Sequence, residues 1–191
     1  LNKSKIEIKI PSAQIKSGLI LAALNTEGVS HIIETNITRD HTENMLKSFG
    51  ANINIEKKNN QTSIFIKGKQ ELKANNIDVP SDLSSSAFFI IAALINKGSK
   101  IKLKNININP SRDGILKALK KMGAKISIEN QRTVSNEIVA DLKVEYSDLI
   151  GCELDAEMAK FMIDEYPILS IAAAFAKGTS VFKGLKELKV K

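Results

Sequence analysis

IPSAQIKSGLILAALNTEGVSHIIETNITRDHTENMLKSFGA, residues 10–51, decides how the rest of the chain is read, because its pattern returns twice further on. A turn at Pro11-Ser12 leads into an almost wholly apolar helix from Ala13 to Asn25, which Gly28 stops. A strand from Val29 to Ile33, a polar loop and an amphipathic helix ending at Gly50 complete the unit. The second copy keeps this order: Pro80-Ser81-Asp82, the apolar SSSAFFIIAALIN, Gly98, the strand KIKLK, and GILKALKKMGA, ending around Gly123. A third begins at Asp164 with DEYPILSIAAAFAKG and the strand TSVFKG. Gly28 and Gly98 lie 70 residues apart, Gly98 and Gly178 lie 80 apart, and Gly50 and Gly123 lie 73 apart. A period this long exceeds that of solenoids, so each unit holds several elements and is nearly a subdomain.

Between the repeats, ANINIE with SIFIKG and AKISIE with IVADLKV carry apolar residues at every second position, as half-buried strands require. The unit is therefore βαβαββ and the fold class α/β with mixed sheets. KSKIEIKI places Ile6, Ile8 and Ile10 on one face of an opening strand. Ile15, Leu19, Ile20, Leu21 and Leu24 lie nearly all round the first helix, which predicts a helix buried inside its domain. In the next helix Met45, Leu46 and Phe49 are predicted inward, with Glu43, Asn44 and Lys47 outside. Ile115, Leu116, Leu119 and Met122 form the stripe of a helix packed on a sheet. ENQRTVSNEIVADLKV predicts a long hairpin with a polar tip, and NNIDVPSD is the most loop-like break, so a boundary is placed near residue 79.

Composition narrows the classes. Hydrophobic residues make up 43% of the 191, enough for one or two cores. The apolar runs fall short of the roughly 18 to 20 residues needed to span a bilayer, so no membrane partner is expected and the cytoplasm is the expected location. One cysteine, Cys152, excludes an internal disulfide framework and a CxxC metal site, and reads as a small buried or half-buried thiol. Lys and Arg outnumber Asp and Glu by 28 to 21, a net charge of +7. Those lysines are spread along strand edges and helix faces without aromatic platforms, which argues against nucleic acid; small anionic substrates fit better. No metal cluster or nucleotide-binding glycine motif occurs, so no cofactor is implied.

Several polar residues stand at helix starts, where unpaired N–H groups and the helix dipole favour anions. Ser12 is a good N-cap. Arg39 precedes the second helix in TRDHTE, and a guanidinium matches phosphate oxygens bidentately. Arg112 holds the corresponding place in the second repeat, as an echo of it. His31 reads as structural, and His41 is left open. The hydroxyls of Ser84, Ser85 and Ser86 are explained by capping. Asp164 and Glu165 open the third apolar helix, and Asp164 precedes Gly178 by the same interval as Gln14 precedes Gly28. Two halves of one pocket could come from equivalent positions in two repeats.

PSAQIKSGLILAAL, TRDHTENMLKSFGA, VPSDLSSSAFFIIAALI, NPSRDGILKALKKMGA, IDEYPILSIAAAFAKGTSVF and the terminal ELKVK resemble the bacterial EPSP synthases, the 3-phosphoshikimate 1-carboxyvinyltransferases. The resemblance runs over essentially the whole chain and implies the enolpyruvyl transferase fold, an inside-out α/β barrel of βαβαββ units in two partial domains. Residues 1–79 would be the C-terminal part of the acceptor-phosphate-binding domain. Residues 80–191 would be part of the second, with one full repeat at 80–153 and the start of another at 154–191. The implied reaction moves the enolpyruvyl group of phosphoenolpyruvate onto the 5-hydroxyl of shikimate 3-phosphate. By the same resemblance Ser12, Ala13, Gln14 and Arg39 bind the acceptor, Asp164 takes the hydroxyl proton, and Lys191 contacts the donor. Family members are about twice as long, so the chain is expected to be an internal segment, inactive alone, of an enzyme that is monomeric at full length. The alternatives are the sister transferase acting on a UDP-amino sugar and a basic nucleic-acid-binding module.

Overall fold

The computed structural model describes residues 5–58 and 61–189. In chain order these form β1 (Lys5–Ile8), α1 (Ala13–Leu24), β2 (Val29–Glu34), α2 (His41–Ser48), β3 (Ile53–Lys58), β4 (Gln61–Lys67), α3 (Leu83–Ile95), β5 (Lys100–Asn107), α4 (Gly114–Lys121), β6 (Lys125–Val134), β7 (Glu137–Glu145), β8 (Glu153–Leu154), α5 (Ala159–Met162), α6 (Tyr166–Phe175) and β9 (Val181–Phe182). Short 3₁₀ turns cover Ala156–Met158, Ile163–Glu165 and Leu185–Lys189. The chain divides into two compact units. The first comprises residues up to Asp78 with Ser135–Glu137, and the second comprises Val79–Val134 with the chain from Ile138 onward.

In the first unit β1 runs parallel to β2, β2 antiparallel to β4, and β4 antiparallel to β3, giving the order β1-β2-β4-β3. The alternation of apolar residues sets the register, with Ile32 opposite Ile64 and Ile64 opposite Ile55. Ile8, Ile32, Ile64 and Ile66 point from the sheet onto Ile20 and Ala23 of α1 and Leu46 of α2. The second unit repeats the plan. β5, β7 and β6 form a sheet in the order β5-β7-β6, with Leu103 opposite Leu142, and Leu83, Ile90, Ile91 and Leu94 of α3 pack with Ile115 and Leu119 of α4 in its core.

Each repeat opens with a strand, a helix and a parallel strand. The first has β1 and β2 around α1, the second a single parallel bridge from Ser81 to Ile106 around α3, and the third β8 paired with β9 around α5 and α6. The third repeat opens with β8 at Glu153, next to the expected boundary at residue 154, although its pattern in the sequence starts only at Asp164; two residues are too few to show an alternation. The repeated glycines are where the backbone turns left-handed: φ is 87° at Gly28, 83° at Gly98 and 91° at Gly178, each between the apolar helix and its following strand. A Cβ is strained in that region, which is why glycine marks the period. The β6–β7 hairpin turns through Ser135 and Asn136, both at positive φ, as a tight two-residue turn requires.

Two expectations about helix faces are corrected. The first helix is not buried all round: it buries Lys16, Ile20 and Ala23, while Ile15 and Leu21 are exposed. Likewise Phe88 is 60% and Phe89 65% exposed on α3. Only one side of each helix has a packing partner within its unit. In α2 the inward residues are Leu46 and Glu43, and Met45 faces solvent. Part of the lysine excess is answered locally on the second sheet, where Lys100 pairs with Glu145 at 3.2 Å and Lys102 with Glu129 at 2.9 Å.

Candidate active site

In the first unit Ser12 sits in extended backbone (φ −147°, ψ 118°), and its Oγ accepts a hydrogen bond from Ile15 N at 3.3 Å. That cap starts α1 sharply and sets the first-turn residues Ala13 and Gln14 beside the loop that carries Arg39. Ala13, Gln14, Ser17, Gly18 and Leu21 of α1 and Arg39, His41 and Thr42 line one cleft of about 430 Å³. Ser17 Oγ and Thr42 Oγ1, both lining it, share a hydrogen bond at 2.6 Å that joins α1 to α2. A side-chain amide, a guanidinium and a helix start in one concavity suit a small, multiply charged oxyanion such as a phosphate ester. Ser12 is not among the lining residues; it caps the helix that supplies them.

Under this cleft lies a charge cluster that the sequence reading missed. Lys16 is 1%, Glu34 2% and Glu43 2% exposed. Lys16 Nζ lies 3.3 Å from Glu34 Oε2 and 2.9 Å from Glu43 Oε1, and donates to the Thr38 carbonyl at 3.4 Å. Glu34 Oε1 accepts from Thr38 N at 2.9 Å and from the Thr38 hydroxyl. The cluster ties α1, the end of β2, the loop before Arg39 and α2 together from beneath. Glu43 Oε2 has no hydrogen-bond partner among the described residues, and burial pushes the Glu43 carboxyl above its ordinary value despite the opposing pull of Lys16.

In the second unit Asp164 is exposed in the 3₁₀ turn Ile163–Glu165, directly before α6, whose first turn holds Pro167. Its neighbour Glu165 is buried. Asp82 caps α3 as Ser12 caps α1, accepting from Ser85 N at 3.0 Å. Burial pulls its carboxyl upward, but the bonds from Ser85 and the nearby Arg112 outweigh this and leave it below the ordinary range. Arg112 Nη2 donates to Ser84 Oγ and lies 3.4 Å from Asp82 Oδ1 and 4.0 Å from Glu165 Oε1; the Ser84 hydroxyl donates to Glu165. Capping alone therefore accounts for Ser85 and Ser86, which bond to Asp82, but not for Ser84. Lys191 lies outside the described residues. Cys152 is half-buried, and burial raises its thiol pKa, which keeps it protonated and unreactive. No group of three or more His, Cys, Asp or Glu that could hold a metal occurs among the described residues, and no helix among them is long and apolar enough to cross a membrane.

The sequence model of EPSP synthase (3-phosphoshikimate 1-carboxyvinyltransferase) matches residues 1–191. The chain belongs to the EPSP synthase family. Among named EPSP synthase relatives, the 3-phosphoshikimate 1-carboxyvinyltransferase of Mesorhizobium japonicum is 48% identical over 185 residues, covering 96% of this chain and 41% of the relative. That of Rhizobium johnstonii is 48% identical over 191 residues, covering 98% of this chain and 42% of the relative. A solved EPSP synthase from Acinetobacter baumannii superposes with a TM-score of 0.90 at 41% identity, over 100% of this chain and 42% of that one. The enolpyruvyl transferase NikO from Streptomyces tendae, 18% identical with a TM-score of 0.64 over 95% of this chain and 44% of its own, shares the fold. The repeated βαβαββ architecture is thus the enolpyruvyl transferase fold, and the chain spans about two-fifths of the length of the EPSP synthases it matches.

Proposed function

We propose that this chain supplies the acceptor cleft and the proton acceptor of a transferase that moves the enolpyruvyl group of phosphoenolpyruvate onto the 5-hydroxyl of shikimate 3-phosphate, giving 5-enolpyruvylshikimate 3-phosphate and phosphate by addition and elimination. The observation that carries this reading is the cleft where Gln14 and Arg39 meet a helix start in one concavity, in a chain of the EPSP synthase family. Arg39 and Gln14 bind the acceptor phosphate, with Ser12 and Ala13 presenting the capped helix end to it. Asp164, exposed at its turn, takes the hydroxyl proton as general base. Lys191 neutralises charge on the donor side. Both substrates are small anions, and no cofactor, nucleic acid or membrane takes part. The enzyme works as a monomer in the cytoplasm, and the 191 residues alone, which span about two-fifths of the length of the relatives, are inactive.

Acceptor kinetics test the assignment in an active full-length enzyme that contains this chain. Arg39→Ala raises the acceptor KM at least about tenfold, since a charge-assisted hydrogen bond contributes roughly 1.5–3 kcal/mol, and leaves the donor KM unchanged. Asp164→Ala lowers kcat by roughly 10² to 10⁴ while acceptor binding persists. An unchanged acceptor KM in the first variant would return Arg39 to the ordinary surface, and full turnover in the second would leave Asp164 a structural residue.

A further inference from the structure

The second repeat contains an arginine in the place of Arg39, but its surroundings differ. Arg39 precedes Gly50, and Arg112 precedes Gly123, by eleven residues. Counted back from Gly28, Gly98 and Gly178, Gln14, Ser84 and Asp164 are likewise equivalent. In the first repeat the arginine and the helix start line an open cleft. In the second, Arg112 faces the chain's own carboxylates: Asp82 Oδ1 at 3.4 Å and Glu165 Oε1 at 4.0 Å, with the Ser84 hydroxyl bridging guanidinium and Glu165. In the second copy the place beside the guanidinium is taken by the chain's own Glu165.

Glu165 belongs to the 3₁₀ turn Ile163–Glu165 and is the residue next to Asp164. Its carboxylate is buried while that of Asp164 is exposed, so the two side chains leave the same turn in different environments. We propose that Arg112 and Ser84 are positioning residues for Asp164: by clamping Glu165 to the start of α3, they fix the turn that presents the Asp164 carboxylate. A 3₁₀ turn is short and its hydrogen bonds are poor, so an anchored side chain does much to hold it. Arg112 comes from the loop before α4 and Ser84 from the first turn of α3, so the turn is held by two elements that the core already fixes. Ser84 accepts from Arg112 and donates to Glu165, which satisfies its hydroxyl in both directions. The first repeat's ligand-binding geometry has become an internal brace in the second.

This inference rests on Asp164 being the general base, and the test separates the two. In an active full-length enzyme containing this chain, Asp164→Asn, Ser84→Ala, Ser84→Thr, Arg112→Met and the double variant Ser84→Ala/Asp164→Asn are compared by steady-state kinetics. Misplacing a catalytic group by about 1 Å costs roughly a hundredfold. Arg112→Met therefore lowers kcat by about thirtyfold to a hundredfold and Ser84→Ala by about fivefold to tenfold, both with acceptor KM within about twofold of the parent. Ser84→Thr, which keeps the hydroxyl, restores kcat. On the Asp164→Asn background Ser84→Ala adds less than about a twofold loss, because there is no base left to position. If Ser84→Ala is folded with unchanged kcat, or loses the same factor with and without Asp164, the brace is refuted while the base stands. If Asp164→Asn itself retains kcat, the base assignment falls, and the brace with it.

Discussion

Replacing Lys16 with methionine removes an ammonium from the buried cluster and keeps a side chain of similar length. Two carboxylates then remain beneath the cleft. Glu34 retains the Thr38 backbone and hydroxyl donors, but Glu43 loses its contact at 2.9 Å and already has an oxygen without a partner. Breaking a buried ion pair by removing one partner costs about 3–5 kcal/mol. Protonation of Glu43 limits that loss, because burial has already raised its pKa, so we expect about 3 kcal/mol at neutral pH, the low end of that range. Native-state hydrogen exchange at Ile32 and Ile64, paired across β2 and β4, reads the opening of the first unit directly. Lys16→Met should speed exchange there roughly a hundredfold at pH 7, since about 1.4 kcal/mol is tenfold, and the effect should shrink as pH falls and Glu43, whose pKa burial raises, takes up a proton. Protection unchanged at pH 7, or a loss that does not vary with pH once intrinsic exchange rates are removed, would refute the assignment of Lys16 as the counter-ion of both carboxylates.

Glu43→Gln isolates the third member of the cluster. Burial holds the folded-state pKa of Glu43 above its ordinary value of 4.5, so the parent loses stability as pH rises from 4.5 through the folded pKa; the variant lacks this loss and gains relative to the parent over that window in pH-dependent denaturation. Gly68→Ala should be among the most destabilising substitutions in the first unit, because a Cβ there would lie 1.5 Å from the Thr26 carbonyl oxygen and 2.7 Å from that of Ala23. Gly18→Ala on α1 meets nothing within 4 Å and should stabilise by about 0.5–1 kcal/mol through lost chain entropy. Thermal melts of the two glycine variants should move in opposite directions, and a stable Gly68→Ala protein would contradict the close approach of residue 68 to the end of α1.

The order of elements was legible because glycines at left-handed positions separate runs of contrasting periodicity, and the apolar runs are too regular to mistake. What escaped was polar. Lys16 lies within an apolar run, yet it falls in helical phase with Ile20 and Ala23; Glu34 shares the strand phase of Ile32; Glu43 shares that of Leu46. All three phases point inward, and three inward charges from consecutive elements were the available signal of a buried cluster. The opposite error affects α1, where apolar residues on every side predict burial on every side but Ile15 and Leu21 are exposed. Hydrophobicity states which faces tolerate burial, and only the count of covering elements states which are buried. Gln14 and Arg39 are candidates in the sequence through the family resemblance, and the structure places both on one cleft; Arg112 and Ser84 read there only as repetition and capping.

The sheet order of the first unit has a consequence for synthesis on the ribosome. β4 is the last strand of that sheet to be made but lies at its centre, between β2 and β3, which do not bond to each other. Until Lys67 has emerged, β2 has only β1 beside it and β3 has no neighbour in the sheet. The interval from Glu34 to Lys67 lasts about 2 to 7 s at usual elongation rates; throughout it one edge of β2 waits for β4, and once Lys58 is made β3 waits as well. Codon choice or chaperone occupancy over residues 35–67 should therefore affect the yield of this protein, and the second sheet, in which the last-made β7 lies between β5 and β6, adds the same demand over residues 108–145.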